Sequence, residues 1–364
     1  MKTEIAIIGA GPAGLVAALH AARAGAQVLL LERFPYLGGQ LIKQTHKFFG
    51  SKAEYAGERG VDIARKLIEE VNATPGVTVW QDATALGYYP DGVLTVKYQG
   101  EFHTVRPKKL IVATGAAEKT LVFPNNDLPG IYGAGAVQTL MNVYGVLPGK
   151  RLLMIGAGNI GVIVAYQLLQ AGVEVAAIVE AGPAAGCYQV HADKVKRCGV
   201  PVYTSHTVKH ARGANSLDGA VIWQLDGNWQ PIPGSEKEFA VDGMCLAVGL
   251  SPLTELLWQA GCGMVYVPEL GGNIPFRDET LLTTRPNIYI AGDVAGIEEA
   301  STAMVEGKIA GLAAALALGT NTSGLRLELA AAQAQLAALR AGPLSTKIRS
   351  GLAKVTRANL AEVI

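Results

Sequence analysis

Two glycine runs, Gly9-Ala10-Gly11-Pro12-Ala13-Gly14 and Gly156-Ala157-Gly158-Asn159-Ile160-Gly161, hold the most legible chemistry in this chain. Each follows an apolar run (Ile5 to Ile8; Leu152 to Ile155) and opens a helical pattern of small residues. Each is followed by a second apolar run that closes on an acid, Glu32 or Glu180. In such a unit the first glycine makes a tight turn and the second lets a pyrophosphate approach the backbone. The third lets helix and strand pack closely. The helix N-terminus offers free N–H groups and partial positive charge to the phosphates, and the closing acid accepts hydrogen bonds from ribose hydroxyls. One such run is weak evidence. Two, each with strand, helix and acid in order, predict two dinucleotides on one chain, and hence electron transfer between them.

Other chemistry is sparse. Cys187, Cys198, Cys245 and Cys262 form no C-x-x-C and have no zinc or iron–sulfur spacing, so no metal site is expected. They read as buried apolar residues of a reducing compartment. At 364 residues the chain is long enough for two cores. A net charge of +1 gives no electrostatic support for a nucleic-acid partner. Abundant glycine (44 residues) and few charges (17%) suit buried parallel strands with tight turns. The first thirty-one residues are apolar, but His20, Arg23 and the glycine turn argue against a spanning helix. Glu4 and the missing cleavage pattern argue against a signal peptide, so a soluble, cytoplasmic protein with no transmembrane segment is expected.

The elements that must position these residues fall into four stretches. Residues 1–115 form a first nucleotide-binding lobe. It has a Gly-, Gln- and Lys-rich loop from Arg33 to Gly50, a helix with Ile63, Leu67 and Val71 on one face, and a strand Val77 to Trp80. A hairpin turns around Gly100-Glu101, and a short strand Leu110 to Ala113 ends in Thr114-Gly115. Residues 116–245 hold the second unit, with a hairpin made by Ala220 to Leu225 and Phe239 to Val241. Residues 246–320 return to the first, with a strand Asn287 to Ala291, a Gly292-Asp293 turn and a long helix from Ala300. In the tail, 321–364, Leu325, Leu329, Ala332, Leu336 and Leu339 make a heptad-like seam. Ile348, Leu352 and Val355 begin a second stripe. Six cations against Glu328 and Glu362 make the tail basic. It reads as a helical hairpin folded on its own domain, as a docking element for another subunit, or as a membrane-surface helix.

The order of these motifs resembles the two-dinucleotide-domain flavoproteins of the thioredoxin reductase type, within the pyridine nucleotide-disulfide oxidoreductases. The resemblance spans about residues 1–320. It rests on both fingerprints with their acids, on Gly38-Gly39-Gln40-Leu41, on Ala113-Thr114-Gly115, on Ala247-Val248-Gly249 and on Thr283 to Asp293. It implies an α/β fold of two Rossmann-like, three-layer FAD/NAD(P)-binding domains, the NAD domain inserted in the FAD domain, with a helical C-terminal tail. It places FAD on Gly9, Gly11, Pro12, Ala13, Gly14, Glu32, Arg33, Gly39, Gln40, Leu41, His46, Ala113, Thr114, Gly115, Gly292, Asp293, Ala300 and Ser301. It places NAD on Gly156, Gly158, Asn159, Ile160, Gly161, Glu180 and Gly249. His46 is the one candidate for tuning the flavin; its alternative role is a hydrogen bond to ribityl or backbone. Glu180 would repel a 2′-phosphate, and the next arginine is Arg197, so NAD(H) is expected over NADP(H).

The chain departs from that family at the redox centre. Thioredoxin reductases keep C-x-x-C where this chain has Gly130 to Val137, and glutathione-reductase-like enzymes keep a pair after Gly39; both stretches lack cysteine here. Without a dithiol, disulfide exchange has no nucleophile. Asn126 to Tyr132 and Asn142 to Arg151 more closely resemble the FAD/NAD subunit of heteromeric amine and amino-acid oxidoreductases, such as sarcosine oxidase, opine oxidase and dye-linked proline dehydrogenase. The resemblance implies an FAD-dependent NAD(H) oxidoreductase working as an electron-transfer subunit beside a substrate-oxidising flavoprotein or an iron–sulfur protein. A homo-oligomer is also compatible. A free-standing NAD(P)H reductase for ferredoxin, flavodoxin or a quinone-like acceptor is the enzymatic alternative, and a nucleotide-loaded scaffold the non-enzymatic one. Hydride transfer between nicotinamide and flavin needs proximity rather than an acid or base, so no catalytic side chain is assigned.

Overall fold

The computed structural model describes residues 1–48, 51–319 and 323–358; Phe49 and Gly50 of the predicted flavin loop, residues 320–322 and Glu362 lie outside them. The chain forms two compact units, Met1–Ala117 with Ser251–Ile364, and Glu118–Leu250.

The first unit is built on a parallel sheet. Its strands lie in the spatial order Val77–Trp80, Val28–Leu31, Lys2–Ile8, Glu101–Val112 and Ile288–Ile290. Ile5 to Ile8, Val28 to Leu31 and Leu110 to Val112 are buried without alternation, as expected of strands covered on both faces. The hairpin expected at 93–98 and 102–106 around Gly100-Glu101 is present, but the short strand expected separately at Leu110 to Ala113 is the continuation of its second strand. Glu101–Val112 is one twelve-residue strand. Its first half pairs antiparallel with Leu94–Tyr98, and its second half pairs parallel with Lys2–Ile8. A single strand thus serves two sheets, which local patterning does not reveal. Helices Pro12–Arg23 and Ala300–Leu316 pack so closely that a Cβ on Gly307 would lie 2.1 Å from the Ala13 carbonyl oxygen.

The second unit repeats the plan. Its parallel sheet runs Val202–Tyr203, Glu174–Val179, Arg151–Ile155, Gly243–Leu246, Ile131–Gly133. Side chains alternate along Arg151–Ile155. Leu152 and Met154 join a core made with helix Asn159–Gln170, while Leu153 and Ile155 join one made with a three-stranded antiparallel sheet. That layer has Gly219–Gln224 at its centre, between Lys237–Phe239 and His206–Arg212. The last of these strands was not anticipated, because its polar residues Lys209, His210 and Arg212 mask the buried Val208 and Ala211.

The tail forms helices Ser323–Leu339 and Thr346–Lys354. Its seam faces its own unit: Ala332 and Leu336 are buried in the first unit's core, with Leu329 and Leu339 packed beside them. Val355, Ile348 and Leu352 pack on Val267, Leu270 and Ile274. Of the readings open for the tail, the hairpin folded on its own unit is the one observed. No helix among the described residues is long and apolar enough to cross a membrane.

Candidate functional site

The two glycine loops have nearly the same geometry. Gly9 and Gly156 take φ of +99° and +104°, a region closed to most side chains. A Cβ on either would lie 2.3 Å from a carbonyl oxygen, of Ala113 and Ala247 respectively. Both of these alanines open the Ala-x-Gly triplets noted in the sequence. A Cβ on Gly14 or Gly161 would lie 1.8 or 2.1 Å from the oxygen of the first glycine of its own loop. The middle glycines differ. A Cβ on Gly158 meets nothing within 4 Å, and one on Gly11 meets only the Gly39 Cα at 3.9 Å. This is the space a pyrophosphate would need. Gly11 and Gly158 cap their helices without a side-chain hydrogen bond, leaving the first-turn N–H groups facing it.

The closing acids are also equivalent. Glu32 accepts from the Ala10 N–H (2.8 Å) and the Phe34 N–H (3.0 Å). Glu180 accepts from the Ala157 N–H and the Gly182 N–H, both at 2.8 Å. Each carboxylate therefore ties its glycine loop to the end of the next strand. Charged acceptors of this kind keep lone pairs for further donors such as hydroxyls. The Asn159 side chain accepts from the Tyr188 N–H at 2.8 Å, so it holds a neighbouring loop. Ile160 is exposed at the same helix start, and Gly249 (φ +112°) follows the Ala247 contact.

Around the first loop, the Gly38 N–H donates to the Ala10 carbonyl at 2.8 Å. Gly39 then comes so close that its Cβ would lie 2.7 Å from the Gly11 Cα. Leu41 is buried, Gln40 and Arg33 are exposed, and the His46 ring stacks on Phe48 with centroids 5.6 Å apart. Thr114 donates to the Leu253 carbonyl at 2.7 Å, and Gly115 takes φ +73°. Gly292 (φ +78°) packs against Ala13, and its N–H donates to Glu306 at 2.9 Å. Pro12 occupies the first turn of helix Pro12–Arg23, where its missing N–H costs nothing. Ala300 and Ser301 begin helix Ala300–Leu316, whose cap, Glu299, likewise makes no side-chain capping bond.

Burial pushes the Asp293 carboxyl up to about 7, and the Glu306 and Glu298 carboxylates add to it, against an opposing Glu298 N–H. An acid raised above its unfolded value favours the protonated fold. Its contribution is therefore full in acid and is lost as pH rises from about 4 through 7. Asp293→Asn is expected to raise the apoprotein's melting point at pH 8, by the equivalent of about 4 kcal/mol, and to leave it nearly unchanged near pH 4. Equal shifts at both pH values in thermal melts would exclude this role.

Sequence reasoning missed two groups. Where the resemblance expects C-x-x-C, helix Ala134–Asn142 begins, and the Gly135 N–H donates to the Glu118 carboxylate at 2.5 Å. A carboxylate holds the helix end that a thiolate would favour. The other group is Glu298, Glu306, Arg277 and Arg340, brought together from distant stretches of chain. The four cysteines are free thiols; burial pushes Cys245 and Cys262 up, the former strongly. Among the described residues no group of acids, histidines and cysteines is placed to hold a metal ion.

Two Rossmann-like units of this form, each ending its glycine loop on a carboxylate, define a dinucleotide-handling oxidoreductase. The profile of the pyridine nucleotide-disulphide oxidoreductase family matches residues 3–307, and the chain belongs to that family. It is 32% identical over 281 residues to the α chain of sarcosine oxidase from Rhizobium meliloti (strain 1021), spanning 73% of this chain and 26% of that one. It is 29% identical over 352 residues to the A chain of opine oxidase from Agrobacterium tumefaciens (strain Ach5), spanning 91% of this chain and 70% of that one. The fold is similar to those of T. acidophilum thioredoxin reductase and P. horikoshii L-proline dehydrogenase. The TM-scores are 0.72 and 0.70 at 22% and 23% identity, with 87% and 90% of this chain covered and 99% and 58% of those chains.

Proposed function

We propose that this chain is an FAD-dependent NAD(H) oxidoreductase that serves as the electron-transfer subunit of a heteromeric amine or amino-acid dehydrogenase. The observation that carries this is the pair of equivalent cradles, each with open space beside its middle glycine and a carboxylate at its rim. The first unit would hold FAD. Gly9, Gly11 and Gly14, with the first turn of helix Pro12–Arg23, would seat the pyrophosphate, and Glu32 would hold the ribose. Gly292-Asp293 and the start of helix Ala300–Leu316 would lie along the rest of the cofactor. The second unit would hold NAD(H) on Gly156, Gly158 and Gly161, with Glu180 bonding the ribose hydroxyls. When bound, flavin and nicotinamide supply hydride exchange; the chain binds, orients and keeps the pyrophosphates fixed. No cysteine pair is available for disulfide chemistry.

The names of the relatives, which are components of sarcosine and opine oxidases, support a place in a heteromeric complex. So does an apolar stretch in the second unit, where Tyr144, Val146 and Leu147 stand 61%, 49% and 55% exposed. A free-standing NAD(P)H reductase is the second reading. It gains from the tail, whose seam is spent on its own core and is not left over for a partner.

Anaerobic titration with NADH and then NADPH, following the visible flavin band, tests the assignment. Rapid bleaching by NADH is expected; a flavin reduced by neither nucleotide would leave only a scaffold. Purification from native cells separates the two enzymatic readings, according to whether the chain elutes with partners or alone.

A further inference from the structure

The tail holds three parts of the first unit at once. Arg340, just past helix Ser323–Leu339, donates through Nε to Glu298 at 3.0 Å and through Nη2 to Glu306 at 2.6 Å. Glu306 is 3% exposed, and its other oxygen accepts the Gly292 N–H. One turn earlier in the tail, Gln335 donates to Glu54, which is also 3% exposed and takes a hydrogen bond from Ser51 in the turn following the 39–48 loop. Glu328, near the start of the same helix, bridges His20 of helix Pro12–Arg23 (3.1 Å) and Lys308 of helix Ala300–Leu316 (3.0 Å).

We propose that Arg340 is a positioning residue for the first dinucleotide site, and that helix Ser323–Leu339 is the clasp through which the tail sets cofactor retention there. The proposal rests on the reading that this site takes FAD. The physical link is short. Removing Arg340 strands Glu298 and Glu306, two buried carboxylates whose remaining cationic neighbour is Arg277. The Arg277 Nη1 is buried with no hydrogen-bond partner, and Glu306 and Glu298 are the acids that favour its charge. Uncompensated buried charge does not persist: the carboxylates take up protons or move. Either response weakens the acceptor that fixes the Gly292 N–H. Gly292 lies against Ala13, a Cβ placed on it meeting the Ala13 Cβ at 2.9 Å, so its displacement reaches the helix start that would face the pyrophosphate.

The test uses the full chain as wild type, Arg340→Met, Arg340→Lys and the double variant Arg340→Met/Glu306→Gln. FAD dissociation constants are read by fluorescence on apoprotein, flavin midpoint potentials by spectroelectrochemistry, NADH dissociation constants at the second unit as an internal reference, and melting points for the fold. Arg340→Met is expected to lose FAD affinity about tenfold or more and to shift the potential, with NADH affinity unchanged. Lysine keeps the charge but not the two-carboxylate fork, so it should recover part of the loss. The double variant should recover part of it, since it removes one of the two stranded charges, leaves Glu298 to Arg277, and keeps an amide oxygen for Gly292. Should Arg340→Met not fold, the lysine and double variants are compared directly with wild type. Wild-type FAD affinity and potential in variants whose melting points have fallen would overturn the proposal and make the tail purely structural. A wild-type chain that binds no FAD would instead overturn the functional reading, and the proposal with it.

Discussion

Gly158→Ala and Gly11→Ala are expected to fold with little loss of stability and to lose dinucleotide affinity at the second and first unit respectively, by about a hundredfold if a pyrophosphate sits against the backbone there. The argument is one of space. A methyl on Gly158 meets no protein atom within 4 Å, and one on Gly11 meets only the Gly39 Cα at ordinary contact distance. Both residues have extended backbone at the helix cap (φ −72° and −74°), which alanine can adopt, capping less well than glycine at a cost of up to about 1 kcal/mol. Gly14→Ala and Gly161→Ala behave in the opposite way. Their methyls would collide with backbone oxygens at 1.8 and 2.1 Å, so loop and helix must separate and the melting point falls by several degrees. Melts of the apoproteins with calorimetric titration of each nucleotide distinguish the two patterns. Undiminished binding by Gly11→Ala or Gly158→Ala would mean that the corresponding loop holds no pyrophosphate.

Glu180→Ala should weaken NADH binding by about tenfold to a hundredfold and narrow its preference over NADPH. Two effects combine. The substitution removes the acceptor proposed for the ribose hydroxyls, and it leaves the Ala157 and Gly182 N–H groups, 2.8 Å from the carboxylate in the wild type, without that partner. Glu180→Gln separates them, because an amide oxygen can still take one N–H while the negative charge that repels a 2′-phosphate is gone. The glutamine variant should therefore gain NADPH relative to NADH with a smaller loss in NADH affinity than alanine. A wild-type chain reduced faster by NADPH than by NADH would remove the basis of the argument.

The fold class was legible because its signals are local. A strand, a glycine turn, a helix and an acid fall within about thirty residues, and each obeys backbone rules that hold regardless of neighbours. The positive φ of Gly9 and Gly156 is such a rule, and so is the unbroken burial of Val28 to Leu31. The absence of a cysteine pair needs no structure at all.

What escaped reading is what joins distant parts of the chain. Glu101–Val112 reads as two short strands because its halves answer to different partners, Leu94–Tyr98 and Lys2–Ile8. The tail's seam has the spacing of an interface helix, and only the core it meets decides that Ala332 and Leu336 are buried in their own unit. Arg340, Glu306 and Gly292 have no motif, since a buried ion pair is specified by packing and charge and not by spacing. The sequence alone determined the two Rossmann-like units and the lack of a cysteine pair, because backbone geometry and residue type suffice for both. Only the tertiary structure decided where the tail folds and which buried charges hold the Gly292–Asp293 turn, because desolvation and long-range contact exist only once the chain is packed.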